Sequence, residues 1–333
     1  MTKILILGGG GMIGQKLAHR LAAEGWQGGE AEVILHDMAF PPSGAGAAQR
    51  LTGSLTDAGT TERLAAMRPD VVFHLASIVS GEAEQNFDKG WEVNMFPTWN
   101  LLSALRAEHA DSGGTYRPRV VFSSSIAVFG APFPDKIGDD FLAAPLTSYG
   151  AQKACCETMI GDFSRKGFID GVSIRLPTIC VRPGKPNKAA SGFFSGIIRE
   201  PLNGQEAVLP VPDTVRHWHA SPRSAVGFLL HAGSMDLDPL GARRSLNMPG
   251  LSCTVAEQIE ALREVAGADA VGRIRREPDA AIMQIVAGWP RDFDTARARA
   301  LGFVAESEFS EIIRTYIAEE RLAGRVSRRL RDR

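Results

Sequence analysis

The feature that most constrains this chain is a recurring pair, a short aliphatic run followed by a stretch of helical periodicity, repeated from Met1 to about Gly171. The runs are Ile4–Leu7, Val33–His36, Val71–Leu75, Val120–Ser123 and Val172–Leu176. Each is nearly continuous in hydrophobic residues, as a strand buried on both faces must be. A parallel strand also needs a crossover, and the intervening helical stretches supply one. The pattern predicts an α/β fold, a Rossmann-type doubly wound parallel sheet with helices on both faces. Two stretches rich in turn residues, Pro41–Ala48 and Asp111–Pro118, read as loops.

After Arg182-Pro183-Gly184-Lys185-Pro186-Asn187 the alternation stops. Shorter strands (Val208–Val211, Arg216–His219, Ser245–Asn247) then mix with helices (Pro222–Ser234, Val255–Ala266, Phe309–Leu322). Residues 1–182 are expected to form the dinucleotide-binding domain with the catalytic residues. Residues 183–333 are expected to form a smaller C-terminal α/β substrate lobe, some of whose segments return to the first domain. A length of 333 residues suits that arrangement.

Composition removes several classes of function. A hydrophobic fraction of 44%, a charged fraction of 23% and a net charge of -1 describe an ordinary globular protein. They give no electrostatic reason to expect nucleic acid or an acidic membrane as partner. The five arginines of Arg325–Arg333 read as a solvated, frayed C-terminus. The apolar run Ile4–Leu7 is too short for a signal peptide or a membrane span, so a cytoplasmic protein is expected. The four cysteines, Cys155, Cys156, Cys180 and Cys253, lack the spacing of a zinc site and read as reduced, mostly buried residues. His217-Trp218-His219 puts two histidines on one face of a strand with no acid or cysteine at matching spacing, so no metal is expected there. Structural or pocket-wall roles fit the pair better.

The run Ile4–Leu7 leads into Gly8-Gly9-Gly10-Gly11-Met12-Ile13-Gly14 and then an amphipathic helix, Gln15–Glu24. Glycine at a strand-to-helix turn lets the backbone approach a pyrophosphate, whose charge meets the open N–H groups of the helix N-terminus. The second run ends in His36-Asp37, and Asp37 lies 23 residues beyond Gly14, near the ~20 expected for the acid that binds the adenosine ribose. A carboxylate there accepts from both ribose hydroxyls and repels a 2′-phosphate. The cofactor is therefore expected to be NAD and not NADP.

Ser123-Ser124-Ser125 closes the Val120 run, and Tyr149-Gly150-Ala151-Gln152-Lys153 begins 24 residues after Ser125. On a helix, positions i and i+4 share a face, so Tyr149 and Lys153 project together toward the sheet edge where ligands bind. A phenol titrates near ~10 in water and serves as a base near neutrality only if its anion is stabilised. An ammonium one turn away does that.

These motifs together resemble the extended short-chain dehydrogenases/reductases of the NAD-dependent epimerase/dehydratase family, including the spacing Gly8-x-x-Gly11-x-x-Gly14. The resemblance implies a catalytic set of Ser125, Tyr149 and Lys153, with Ser125 holding the substrate oxygen beside the tyrosine. It implies a cofactor set of Gly8, Gly11, Met12, Ile13, Gly14, Asp37, Leu55, Leu75, Ala76, Ser77, Asn94 and Pro177, beside Tyr149 and Lys153 themselves. In that set His74-Leu75-Ala76-Ser77 passes the nicotinamide ribose, and Asn94 resembles the family's helix asparagine that braces the sheet. Ser54 stands where the family often has an acid near the adenine, so that contact is not expected here.

Within the family, the dehydratases carry an Asp-Glu pair where this chain has Ile126 and Ala127, and sugar-nucleotide enzymes commonly carry an asparagine where it has Thr178. The first difference argues against dehydration, and the second for a substrate without a nucleotide. The segments His74–Glu84, Ser123–Gly130, Arg175–Asn187, Gly196–Leu202 and Leu246–Leu251 resemble the D-erythronate dehydrogenase branch. The short-chain L-threonine dehydrogenases are close in layout. Small carboxylates are the substrates of both, which implies Arg182 as the partner of the acid group, although an arginine beside Pro183 also reads as a surface ion pair. Ser80, Thr178, Asn187 and Ser191 are further candidates to meet substrate hydroxyls, beside Ser125 and Tyr149. Arg223 is read either as reaching the pocket or as lying on the surface. The resemblance also implies a homodimer through a helix pair. A sugar-nucleotide epimerase and a non-catalytic NAD-binding regulator are the competing readings, and the presence of both Tyr149 and Lys153 weighs against the regulator.

Overall fold

A computed structural model of the chain describes residues 1–42, 48–184 and 190–322. The chain opens with β1 (Thr2–Leu7), α1 (Met12–Glu24), β2 (Ala31–Asp37), β3 (Gln49–Thr52), α2 (Thr60–Ala66) and β4 (Val71–His74). Next come α3 (Ser80–Gln85), α4 (Phe87–Asn94), α5 (Phe96–Asp111), β5 (Arg119–Ser125), α6 (Ser148–Arg165) and β6 (Asp170–Leu176). It continues with β7 (Thr178–Ile179), α7 (Gly192–Leu202), β8 (Ala207–Leu209), β9 (Arg216–Ala220), α8 (Pro222–Ser234), β10 (Ser245–Asn247) and β11 (Leu251–Thr254). The remaining elements are α9 (Val255–Ala266), α10 (Ala268–Val271), β12 (Ile274–Arg276), α11 (Ala280–Ala287), α12 (Ala296–Ala300) and α13 (Phe309–Leu322).

Seven strands form one parallel sheet in the order β3, β2, β1, β4, β5, β6, β10. The two-residue alternation of a strand sends its aliphatic side chains into two separate cores. Ile4, Ile6, Phe73, Val121 and Ile174 join Leu17 and Leu21 of α1 and Phe228 and Leu229 of α8 on one face. Leu5, Leu7, Val72, Val120 and Phe122 join Leu101 and Leu105 of α5 and Cys156 and Ile160 of α6 on the other. Each such buried side chain contributes about 1.5–3 kcal/mol, so a sheet this apolar is stable only with both faces covered. The chain moves outward from β1 through β2 to β3, then crosses back to β4 on the other side of β1. That reversal opens a crevice at the C-terminal ends of β1 and β4, where ligands of such sheets bind.

A further core lies beyond the crevice. Phe194, Ile197 and Ile198 of α7, Ile259 and Leu262 of α9, and Ile312 and Ile313 of α13 are buried together. Two small sheets accompany them, β7-β9-β11 and β8-β12. Helix α8 and strand β10 belong instead with the large sheet, β10 pairing with β6 from Ser245 to Asn247.

The structure adds elements that the aliphatic runs do not announce. Strand β3, Gln-Arg-Leu-Thr, pairs with β2 at the sheet edge, where Leu51 is its one apolar side chain and three of its four residues are exposed. At the sheet edge this strand leaves most of its side chains to solvent and so carries no hydrophobic signature. Helix α1 starts at Met12 and not at Gln15, with Gly11 as its N-cap. Cys156, Cys180 and Cys253 are buried and free, while Cys155 is exposed. Among the described residues no helix is long and apolar enough to cross a membrane.

Candidate active site

The turn between β1 and α1 is stitched to the end of β2, where the N–H groups of Gly8 and Gly9 both donate to the His36 carbonyl, at 2.9 and 3.1 Å. Gly8 has a φ of +82°, and a Cβ there would stand 2.7 Å from the backbone nitrogen of Ala76. Gly14, in the first turn of α1, lies so close to the loop that a Cβ would meet the Gly8 carbonyl oxygen at 2.3 Å. No side chain caps α1, so the N–H groups of its first turn are open to an anion. Asp37 accepts from the Gly10 N–H at 2.9 Å and the Met38 N–H at 2.7 Å, which holds its carboxylate at the lip of the same turn. A cradle closed to side chains, an open helix N-terminus and an acid beside them fit a dinucleotide. Gly8, Gly11, Gly14 and Asp37 would hold its pyrophosphate and adenosine ribose.

Helix α6 delivers the tyrosine and the lysine. Thr147 caps it by accepting from the Gly150 N–H at 3.1 Å, which fixes where the first turn begins and so places Tyr149 at the crevice. Lys153, one turn on, is 2% exposed and donates from Nζ to the Ser123 carbonyl at 2.8 Å. The same ammonium lies 5.5 Å from the centre of the Tyr149 ring. Strand β5 ends at Ser125, whose Oγ accepts from the Ala127 N–H at 3.1 Å. That bond fixes the oxygen and leaves the hydroxyl proton free to donate. Below them, Glu157 accepts from Ser124 Oγ at 2.5 Å and from Arg175 Nη2 at 2.7 Å, so a buried ion pair ties β5, α6 and β6 together.

Tyr149, Lys153 and Ser125 open onto a cavity of about 360 Å³. Met12, Ile13, Leu75, Ser77 and Pro177 line it on the cofactor side, and Ser80, Thr178, Arg182 and Ser191 line it elsewhere. The structure thus brings together, from α1, the segment after β4, α3, β5, α6, β7 and the residue before α7, side chains that the sequence sets far apart. Arg182 donates from Nε to the Ile179 carbonyl at 3.0 Å and from Nη2 to Ser191 Oγ at 2.7 Å. Burial lowers its pKa, with Cys180 and Tyr149 acting in the opposite direction. A guanidinium stays cationic even so. No carboxylate among the described residues pairs with it.

Several expected positions fall elsewhere. Asn94 does not reach the cavity: it is buried one layer behind, accepting from the Ile78 N–H at 2.8 Å and donating to Gln152 Oε1 at 2.7 Å. It braces the segment after β4 against α6, because α4 packs on α6 and not on the cofactor crevice. Leu55 and Ala76 pack against the core beneath the sheet. Arg223 is on the surface, half exposed and paired with Glu319 at 3.1 Å. Asn187 lies outside the described residues, as does the arginine-rich tail. His217 lines the cavity and His219 is buried behind it on Gln258, at 2.9 Å. Among the described residues no three His, Cys, Asp or Glu side chains are grouped to hold a metal.

Sequence reasoning missed Trp289 and Pro290, which close one wall of the cavity. They follow α11, far along the chain from every motif, and no periodicity connects them to the site. Thr147 was also missed, although a threonine directly before a helix is a readable capping signal.

Comparison with known proteins agrees with this geometry. Residues 4–219 match the model of the NAD dependent epimerase/dehydratase family. A D-erythronate dehydrogenase from Haemophilus influenzae is 41% identical over 95% of this chain and 98% of its own length. One from Cupriavidus necator is 42% identical over 96% of this chain and 99% of its own. The crystal structure of a nucleoside-diphosphate-sugar epimerase from Agrobacterium tumefaciens superposes with a TM-score of 0.92 at 56% identity, covering 97% of this chain and 95% of that one. The glycine turn, Asp37 and the Tyr149–Lys153 pair fall within the matched span, and the chain belongs to the NAD dependent epimerase/dehydratase family.

Proposed function

We propose that this NAD-dependent oxidoreductase oxidises the C2 hydroxyl of a small sugar acid, D-erythronate, to the 2-oxo acid. The observation that carries the reading is Arg182, a half-buried guanidinium that lines the same cavity as Tyr149 and Ser125 and is paired with no carboxylate among the described residues. A guanidinium partly withdrawn from water favours an anionic partner, and a substrate carboxylate would complete the pair. The two D-erythronate dehydrogenase relatives, each covering nearly the whole chain, support the same substrate.

Each side chain then has a separable task. Arg182 grips the carboxylate, a part of the substrate that does not react, through charge-assisted hydrogen bonds. Ser125 donates its free proton to the C2 oxygen. Tyr149, as the phenolate, takes the C2 hydroxyl proton as the C2 hydride departs and the C2–O bond becomes a carbonyl. Lys153, held on the Ser123 carbonyl, puts positive charge beside that phenolate. NAD, when bound, supplies the two-electron acceptor for the hydride.

Sugar-nucleotide epimerisation is the competing reading, and the name of the Agrobacterium relative is what favours it. One assay set separates the two. D-Erythronate should reduce NAD, and erythritol, the corresponding uncharged polyol, should not. Efficient epimerisation of a sugar nucleotide, with sugar acids inert, overturns the proposal.

A further inference from the structure

His217 stands beside the reacting groups and has no part in the chemistry described so far. It lies on β9, enclosed by Phe194, stacked at 5.3 Å between ring centroids, and Trp289 at 5.1 Å. Both of its ring nitrogens are engaged. Nδ1 lies 2.8 Å from the Pro290 carbonyl oxygen, and Nε2 lies 2.7 Å from Thr178 Oγ1. Burial holds this histidine at about 4, so the ring is neutral near pH 7 and carries a single proton. A carbonyl oxygen can only accept, so that proton sits on Nδ1. Nε2 is then a bare lone pair, and the Thr178 hydroxyl must donate to it.

The consequence reaches the substrate. Thr178 lines the cavity with its proton already committed, so toward a ligand it offers lone pairs and nothing to donate. A carboxylate or a carbonyl oxygen facing Thr178 would meet acceptor against acceptor. A hydroxyl facing it would be matched. We propose that His217 is a specificity-determining positioning residue, which fixes Thr178 as a hydrogen-bond acceptor and so selects sugar acids bearing a donor hydroxyl beyond C2. This rests on the sugar-acid dehydrogenase reading above. It divides recognition between two side chains of the cavity: Arg182 takes the acid group, and Thr178, set by His217, takes a hydroxyl of the polyol.

The test compares kcat/KM for D-erythronate with that for (R)-2-hydroxybutanoate, which lacks the C3 and C4 hydroxyls, in the unmodified protein and in Thr178→Val, His217→Phe and the double variant. Phenylalanine keeps the ring stack and removes both nitrogens. Each single variant should lose about tenfold to a hundredfold of the preference for D-erythronate, and the double variant no more than either. His217→Gln, whose amide keeps one donor and one acceptor, should restore part of the preference. A purely structural role would lower both substrates alike, and an unchanged ratio in His217→Phe overturns the assignment alone. If the unmodified protein turns over no sugar acid, the dehydrogenase reading falls and the assignment falls with it. A readout independent of substrate is ¹⁵N NMR of labelled histidine, with His217 assigned by its loss in His217→Gln. Protonated Nδ1 and bare Nε2 support the proposal, and the opposite tautomer overturns it.

Discussion

The Lys153 ammonium donates to the Ser123 carbonyl at 2.8 Å, which ties the helix carrying Tyr149 to the strand carrying Ser125. Two elements that meet at the sheet edge could otherwise shift against each other. With the lysine buried and bonded across the gap, Tyr149 and Ser125, the proposed base and oxygen holder, keep a common frame. Preorganisation of this kind is what a proton transfer needs, since small displacements of reacting groups are costly in rate.

Replacing the phenol tests the base directly. Tyr149→Phe keeps the ring and its packing and removes the proposed proton acceptor. Turnover should fall by about 10²–10⁴-fold, the range of general acid-base catalysis. NAD binding, followed by quenching of tryptophan fluorescence, should be nearly unchanged. Near-normal turnover in this variant would mean that another group is the base.

Cofactor choice is expected to depend on Asp37, whose carboxylate is pinned by the Gly10 and Met38 N–H groups at the glycine turn. The unmodified protein should bind NAD far more tightly than NADP. Asp37→Ala removes both the ribose acceptor and the repulsion of a 2′-phosphate, so the preference should narrow by about tenfold to a hundredfold. Titration of each dinucleotide against both proteins checks this, and tighter NADP binding by the unmodified protein would contradict it.

Arg182→Ala should act mainly on KM. In the proposed reaction the guanidinium meets a part of the substrate that does not react, so its loss would weaken ground state and transition state alike. An increase in KM of about tenfold to a hundredfold is expected, with a smaller fall in kcat from a loosened substrate pose. A fall in kcat at unchanged KM would place Arg182 at the reacting carbon instead.

Four buried histidines, His36, His74, His217 and His219, have lowered pKa values and make stability depend on pH. Burial holds His217 at about 4 and His74 at about 3, against 6.5 in the unfolded chain, with Lys153 adding to the effect on His74 and the Pro290 bond partly opposing it on His217. Below pH 6.5 the unfolded state binds protons that the folded state refuses, so stability falls with pH at about 1.4 kcal/mol per unit for each histidine. Above 6.5 both states are neutral there and the contribution is fully present. Urea unfolding should therefore give a plateau above about pH 7 and a decline from 6.5 toward 4. His217→Phe should make the decline shallower, and an unchanged slope in that variant would exclude His217 as a cause.

Much of the fold was legible in sequence because the strands that build the large sheet's centre are buried on both faces. That condition writes itself as the runs from Ile4, Val33, Val71, Val120 and Val172, and the helices Pro222–Ser234, Val255–Ala266 and Phe309–Leu322 were legible by the period of their apolar residues. Strand β3 was not, since one apolar residue in four carries no pattern. Nor was the membership of β10 in the large sheet, because three residues can be read as a strand without saying which strand they join.

The sequence by itself determined the cofactor turn and the Tyr149–Lys153 pair. In both, the residues that act together are neighbours along a strand-turn-helix or one helical turn, so local geometry fixes their relation. Only the tertiary structure decided which side chains share the cavity with them. Thr178 meets His217 across 39 residues, His217 meets the Pro290 carbonyl across 73, and Arg182 is left in the cavity without an acid among the described residues. Those contacts arise where separate elements converge on the crevice, and spacing along the chain holds no record of distances set by packing.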